Sequence, residues 1–209
     1  MSRNKLVLAT HNLHKKIEMN SILSPLGILI VGLDEFPQIG DIEETGTTLL
    51  ENAFIKARTV YELTGLPSLA DDTGLEVDSL DGAPGVYSAR YAGKNNPTYQ
   101  ENCSKLLLNL KGYPNEKRVA SFKTVIAFVD GEIEYSTEGV VKGLIVEKHR
   151  GIDGFGYDPI FQPESHDLTY AEMDADEKNR ISHRFKALDK IKEFLIPYFN
   201  RKGGNIDLK

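Results

Sequence analysis

The segment Leu69-Ala70-Asp71-Asp72-Thr73-Gly74-Leu75-Glu76-Val77 sets two adjacent carboxylates inside an apolar run. It reads as a short strand over Ser68–Ala70 that ends at the acids, then a Thr-Gly turn, then more strand. Neighbouring side chains on a strand point to opposite faces, so within a sheet Asp71 and Asp72 cannot both escape to water. A buried carboxylate needs a cation, hydrogen bonds or a metal ion. The ordinary alternative is an Asx-type turn in which the acids cap loose backbone N–H groups.

Four further groups bear on chemistry. Ala9-Thr10-His11-Asn12-Leu13-His14-Lys15 lies at a strand-to-helix junction. A helix start offers unpaired N–H groups and partial positive charge, which suit phosphate. Thr10 and Asn12 add polar side chains, and Lys15 and Lys16 add charge. His11 and His14 lack a matching third ligand and are read as non-metal. Glu43 and Glu44 precede Gly46, and Asn52 and Lys56 follow at i and i+4 on one helix face. That set suits Mg²⁺ and a phosphate, or else is a solvated helix face. Gly154-Phe155-Gly156-Tyr157-Asp158-Pro159 suggests a special backbone path with an aromatic, Phe155 or Tyr157, that stacks on a base. The alternative there is a bulge with two core aromatics. Finally, Lys178 and Ser182-His183-Arg184 place cations at a helix start, where acids are normally preferred. An anionic or polar partner is expected, with Arg184 exposed when no ligand is bound.

The elements that must position these groups follow from periodicity and punctuation. Strands are expected over 5–10 and 28–31, with a helix over 15–26 capped by Asn12 and stopped by Gly27. Residues 32–46 read as a long loop. Thr47 or Thr48 caps a second helix, with Leu50, Ala53, Phe54, Ala57, Val60 and Tyr61 on its apolar face. A Gly/Pro-rich loop over 81–93 precedes a helix over 98–110. Strands over 119–130 and 132–146 flank Asp130-Gly131, a hairpin signal. Residues 151–161 form a loop running into a short strand, and the last helix spans 182–199. Helices mixed with a hairpin predict an α/β chain with a mixed sheet.

Composition narrows the function classes. At 209 residues the chain suits one domain, or one domain with two lobes. A net charge of −6 argues against a nucleic-acid or anionic-membrane binder. No apolar run approaches the ~18 residues of a membrane span. The single cysteine, Cys103, excludes an intrachain disulfide, and a reducing cytoplasm is the expected location. Asn102-Cys103-Ser104 matches a glycosylation sequon by chance.

Together the segments Ala9-Thr10-x-Asn12-x-x-Lys15, Glu43-Glu44-Thr45-Gly46, Glu51-Asn52-Ala53-x-x-Lys56-Ala57-Arg58, Ala70–Leu75, Gly82–Tyr91, Gly154–Pro159 and Ile181-Ser182-His183-Arg184 resemble the inosine triphosphate pyrophosphatase family. The similarity runs in register from about Lys5 to Tyr198. It implies a long twisted mixed β-sheet flanked by helices, with two lobes around a central nucleotide cleft. Residues 1–200 would form this one two-lobed domain, with 201–209 a mobile tail. It also implies a homodimer, for which the apolar Val86, Tyr87 and Tyr91 could serve an interface or a cleft wall.

The resemblance implies roles residue by residue. Asp72 is the catalytic acid–base and a metal contact, and Glu44, with Glu43 as the alternative, is the Mg²⁺ ligand. Thr10, His11, Asn12, Leu13, His14 and Lys15 bind the phosphate end, and Lys56 contacts phosphate. Thr73 retains a hydroxyl where many bacterial members carry serine. Phe155, Gly156, Tyr157, Asp158, Lys178, His183 and Arg184 bind nucleotide and base. The implied reaction is Mg²⁺-dependent hydrolysis of ITP, dITP or XTP to nucleoside monophosphate and pyrophosphate. A Maf-like pyrophosphatase acting on pyrimidine or modified nucleotides is the alternative. A non-catalytic nucleotide sensor would not need Asp72, Glu44 and Lys56, and an aspartyl-nucleophile phosphatase would need Asp-x-Asp after the first strand.

Overall fold

The computed structural model describes residues 5–93 and 96–201. Strand β1 (Lys5–Leu8) leads into helix α1 (Leu13–Leu23), and a single helical turn over Ser24–Leu26 ends at left-handed Gly27. Strand β2 (Leu29–Gly32) follows, then helix α2 (Leu49–Thr64) and strand β3 (Ser68–Val77). Next come β4 (Pro84–Gly85) and α3 (Tyr99–Asn109). The chain continues through β5 (Val119–Val129), β6 (Glu134–Ile145) and β7 (Phe161–Pro163). Helices α4 (Ala175–Ile181) and α5 (His183–Arg201) complete it.

These strands join one mixed sheet in the order β2-β1-β3-β5-β6-β7, with β4 paired to β3. Strand β1 is parallel to both β2 and β3, while β4 against β3 and β7 against β6 are antiparallel. The expected α/β fold with a mixed sheet and flanking helices is therefore the one observed.

The chain divides into two compact units. The first takes the chain up to Asp72, Thr124–Gly139 and everything from Arg184 onward; the second takes Thr73–Lys123 and Val140–His183. Each has its own core. In the first, Leu6, Leu8 and Leu69 of the sheet pack with Met19 and Leu23 of α1 and with Leu188, Ile191 and Leu195 of α5. Ile191 stands with Leu188 and Leu195 on one stripe of that helix, as apolar periodicity demands. In the second, Leu75, Val77, Phe122, Ile145 and Phe161 enclose Cys103 and Leu106 of α3 with Tyr157 and Tyr170.

Three expectations need correction. Strand β3 does not break after Ala70; it runs unbroken to Val77, so no Thr-Gly turn follows the acids. Both aspartates stay inside the strand because each meets cations, as described below. The buried stripe of α2 is Leu49, Asn52, Ala53, Lys56, Ala57 and Val60, while Leu50 is exposed. The Asn52–Lys56 face is thus buried rather than solvated. Helix α4 was missed because Ala175-Asp176-Glu177-Lys178-Asn179-Arg180-Ile181 has no apolar period; Asp174 caps it by accepting from Glu177 N at 2.8 Å.

Smaller expectations fare well. Thr48 caps α2 and Thr98 caps α3, each in a reciprocal capping box with the Glu three residues on. The hairpin lies where Asp130-Gly131 placed it, with Asp130 N donating to Ile133 O at 3.2 Å. The side chain of Asn102 is buried and holds Ala92 N and Ala89 O, so the sequon offers no acceptor. Of the tail over 201–209, Arg201 ends α5 and the rest lies outside the described residues.

Candidate functional site

In the first unit, the chemistry gathers around the two aspartates in the middle of β3. Asp71 and Asp72 are both buried, and consecutive strand positions send them to different partners. Asp71 Oδ2 lies 3.2 Å from Lys15 Nζ of α1 and accepts from Arg184 Nε and Nη2 at 3.2 and 3.1 Å. Arg184 Nη1 donates to Glu18, one helical turn after Lys15. The four charges alternate in sign along a line of ion pairs, Lys15–Asp71–Arg184–Glu18, that ties α1, β3 and α5 together. Asp72 Oδ1 instead accepts from Lys56 Nζ of α2 at 2.8 Å, and Glu44 Oε1 accepts from the same ammonium at 2.6 Å.

These surroundings drive the two acids apart. Burial alone would raise the Asp71 carboxyl, but Lys15, Arg184 and Lys56 outweigh it and hold the group well below the usual carboxylate range. Burial raises Asp72, and the Glu44 carboxylate adds to it, more than Lys56 and Lys15 lower it. Burial would also strip a proton from Lys56; Asp72, Glu44 and Asp71 overcome that and keep its pKa raised. Lys15, more weakly compensated, is lowered by burial. Two neighbouring carboxyls with separated proton affinities divide into a fixed counter-ion and a proton acceptor. Asp71 fits the first role and Asp72 the second.

The junction after β1 is a capped helix start. Asn12 Oδ1 accepts from Lys15 N at 3.2 Å, and Thr10 Oγ1 accepts from Asn12 N at 3.1 Å. Leu13 and His14 are exposed in the first turn of α1, and His11 Nε2 lies 3.1 Å from Gly40 O. Glu43 is exposed, whereas Glu44 is the acid turned onto Lys56.

A separate group assembles in the second unit. The Gly154–Pro159 loop closes on Asp158, whose Oδ2 accepts from Phe155 N and from Lys178 Nζ, both at 2.7 Å. Gly154 has φ +73°, and a Cβ there would stand 2.2 Å from that carboxylate oxygen, so the closure requires glycine. The Lys178 ammonium sits 4.7 Å from the Phe155 ring centroid. Tyr157 is in the core and donates to Ser88 O at 2.8 Å, which leaves Phe155 as the more accessible ring. Gly156 O accepts from the Cys103 thiol at 3.3 Å, and burial pushes that thiol up to about 12. His183 lies flat on Phe122, centroids 4.4 Å apart and planes 8° from parallel. Thr73 is half-buried within β3.

The first unit therefore brings together Thr10, Asn12, Lys15, Glu44, Lys56, Asp72 and Arg184, and the second Phe155, Asp158, Lys178 and His183. Sequence reading missed Glu18 and did not name the cations, Lys15 and Arg184, that meet Asp71. Glu18 stands one turn from Lys15, a spacing that could have marked it, but its partner is 166 residues away. It also misjudged Arg184, which is only 2% exposed. The polar partner expected for that basic helix start exists within the chain itself, in Asp71 and Glu18.

Two outcomes follow. Arg184→Ala removes the guanidinium from buried Asp71 and part-buried Glu18, so it should destabilise the fold by about 3–5 kcal/mol, read as a lower urea midpoint. A change under about 1 kcal/mol would contradict a stabilising role for these ion pairs. The depressed Asp71 carboxyl contributes stability that is complete above its unfolded value near ~4 and is lost as pH falls through the folded value. Carboxyl carbon NMR should show Asp71 still ionised at pH 3, with stability falling below about pH 4. An Asp71 midpoint at or above ~4 would contradict this.

Comparison with known proteins agrees with the geometry. Residues 6–194 match the Ham1 family. A dITP/XTP pyrophosphatase of Porphyromonas gingivalis is 49% identical over 193 residues, covering 92% of this chain and 97% of that protein. One from Thermoanaerobacter pseudethanolicus is 46% identical over 198 residues, covering 95% of this chain and 100% of that protein. A HAM1 protein structure from Coxiella burnetii superimposes with a TM-score of 0.84 at 47% identity, covering 91% of this chain and 98% of that one. The Staphylococcus aureus Ham1 structure gives 0.83 at 36% identity, covering 93% and 99%. With most of its length matched in both sequence and fold, the chain belongs to the Ham1 family.

Proposed function

We infer that this chain is a nucleoside triphosphate pyrophosphohydrolase acting on deaminated purine nucleotides, ITP, dITP and XTP. The names of its dITP/XTP pyrophosphatase relatives support this substrate class. The carrying observation is Asp72, a buried carboxyl of raised proton affinity beside Lys56 and Glu44. A carboxylate of raised proton affinity is the better suited of the two aspartates to take a proton from water.

The reaction consumes one water and breaks the anhydride between the α- and β-phosphates. Asp72 accepts the water proton, the water oxygen bonds to phosphorus, and pyrophosphate departs. Lys56 and Lys15 supply positive charge to the phosphates, and the amides at the start of α1 add their dipole. Two carboxylate oxygens, from Glu44 and Asp72, already converge on one cation, the Lys56 ammonium. Among the described residues no three Asp, Glu, His or Cys side chains form a ready-made metal cluster. This donor set fits Mg²⁺, which is usually held by one or two carboxylates plus waters and substrate phosphates. Glu44 and Asp72 would hold the ion, which when bound neutralises phosphate charge.

Phe155 offers a face for a purine, and Asp158 and Lys178 hold its loop. Stacking is tolerant of base identity, so selection must come from the hydrogen-bonding edge. Hypoxanthine and xanthine carry a 6-oxo group and N1–H where adenine has a 6-amino group and bare N1. His183 is the donor proposed for that edge; Arg184, whose guanidinium is held by Asp71 and Glu18, is placed beside it on family resemblance alone. A site built for one pattern leaves the other unpaired, at about 1–3 kcal/mol per lost contact. His11, Leu13, His14, Thr73, Gly156 and Tyr157 belong to the proposed nucleotide contacts on family resemblance alone.

The proposal also takes residues 1–200 as one catalytic domain, active in the cytoplasm as a homodimer. No helix among the described residues is long and apolar enough to cross a membrane. Tyr87 is 58% exposed in the loop proposed for the interface.

A nucleotide panel with Mg²⁺, scored for pyrophosphate against orthophosphate, tests the reading. ITP, dITP and XTP should exceed ATP in kcat/KM by several powers of ten, with pyrophosphate as the product. Equal values for ITP and ATP would remove the substrate assignment, and a preference for pyrimidine or modified nucleotides would favour the Maf-like alternative. Asp72→Asn keeps the shape but not the basicity, so kcat should fall at least ~100-fold. A near-normal rate would move the proton acceptor elsewhere. Light scattering at micromolar concentration should return twice the chain mass; a monomer would contradict the dimer.

A further inference from the structure

Asn52 occupies an unusual place. It is fully buried on α2, one turn before Lys56, on the stripe where apolar residues would ordinarily stand. Its Oδ1 accepts from Gly46 N at 2.8 Å. A Cβ on Gly46 would lie 2.6 Å from that oxygen and 2.6 Å from Glu51 Cβ. The loop backbone thus presses directly on the helix, with no room for a side chain. The next two amides are taken by the same helical turn: Glu51 Oε2 accepts from Thr47 N at 2.7 Å and Thr48 N at 3.0 Å. Two residues before this anchor stands Glu44, with its carboxylate 2.6 Å from Lys56 Nζ. The helix that supplies Lys56 therefore also fixes the loop that supplies Glu44.

The other half of the amide argues against a purely structural role. Asn52 Nδ2 is buried and has no hydrogen-bond partner among the described residues. Unmet buried donors cost stability, so an apolar residue of similar size would serve packing better. Residues that break such local rules concentrate at functional sites.

We propose that Asn52, seated against Gly46, is a positioning residue that sets the Glu44 carboxylate and so governs how tightly the site takes a divalent cation. This rests on reading Glu44 and Asp72 as the cation's ligands. Asn52 touches neither substrate nor cation; it acts through the Gly46 amide.

The experiment compares the unmutated chain with Asn52→Leu, Gly46→Ala and the double variant. Two readouts are taken: the Mg²⁺ concentration giving half-maximal ITP hydrolysis, and the rise in Tm caused by MgCl2 plus pyrophosphate in the absence of turnover. Asn52→Leu should raise half-saturating Mg²⁺ ~10-fold, as outer contacts to metal ligands commonly do, and shrink the ligand-induced Tm rise. Its Tm without ligand should change little, since the unmet Nδ2 donors are removed together with the bond to Gly46 N. Gly46→Ala should shift the Mg²⁺ requirement in the same direction. The double variant should shift it no further than the worse single one, because both act through one contact. An Asn52→Leu protein with the unmutated Mg²⁺ curve and Tm rise overturns the proposal, and so do multiplicative shifts in the double variant. Failure of Asn52→Leu to fold would assign the residue to structure and overturn it as well. Metal-independent turnover by the unmutated chain removes the metal reading and this proposal with it, whereas metal-dependent turnover that ignores residue 52 removes this proposal alone.

Discussion

Two adjacent aspartates inside a buried strand form the constraint that the surrounding structure must satisfy. Neither side chain can be left without a counter-charge at that depth. The strand's alternation sends Asp71 and Asp72 to opposite faces, so each face needs its own cations. Helix α1 answers Asp71 with Lys15, the start of α5 answers it with Arg184, and α2 answers Asp72 with Lys56. Three helices are thereby oriented by the charge requirement of two consecutive residues. Apolar packing of Met19, Leu23, Leu188 and Leu195 supplies the burial, but the ion pairs set which turn of each helix faces the strand.

The unequal treatment of the two acids links this constraint to chemistry. Asp71 is surrounded by three cations and is locked in its charged form. Asp72 shares one ammonium with Glu44 and keeps a raised proton affinity. A buried ion pair is weak support for stability, because desolvation offsets most of its attraction. The burial of Lys56 and Asn52 on α2, where leucines would pack better, has the same character. Polar groups collect on the buried side of that helix at a cost to stability, which is intelligible if they serve the reaction. The loop closed by Asp158 shows a related economy: one carboxylate caps the Phe155 amide and neutralises Lys178 under the Phe155 ring.

Short-range chemistry was legible in the chain itself. The caps at Asn12, Thr48 and Thr98, the stop at Gly27, the hairpin at Asp130-Gly131 and the stripe of the last helix all depend on residues within a few positions of one another. The α/β class follows from the same local periods. The need of Asp71 and Asp72 for cations was also legible, because strand alternation and the cost of burying charge hold wherever the strand lies. The family resemblance rested likewise on runs of neighbouring residues, and the matched relatives agree with it.

Only the tertiary structure decided which cations answer which acid. Arg184 and Asp71 are 113 positions apart, and Arg184 and Glu18 are 166 apart. No local pattern encodes such a pairing, so a basic helix start that looked like a ligand-facing surface became the buried middle of a line of ion pairs. The unbroken course of β3 has the same origin: Asp-Asp-Thr-Gly reads as a turn until cations from elsewhere make the acids tolerable in a strand. Helix α4 has no apolar period; it is held by Asp158 of a distant loop, which binds its Lys178, and by Ile181 at its end, which packs on the second core. Side-chain period and capping act through neighbours and survive in the sequence; charge compensation acts through space and exists only once the chain has folded.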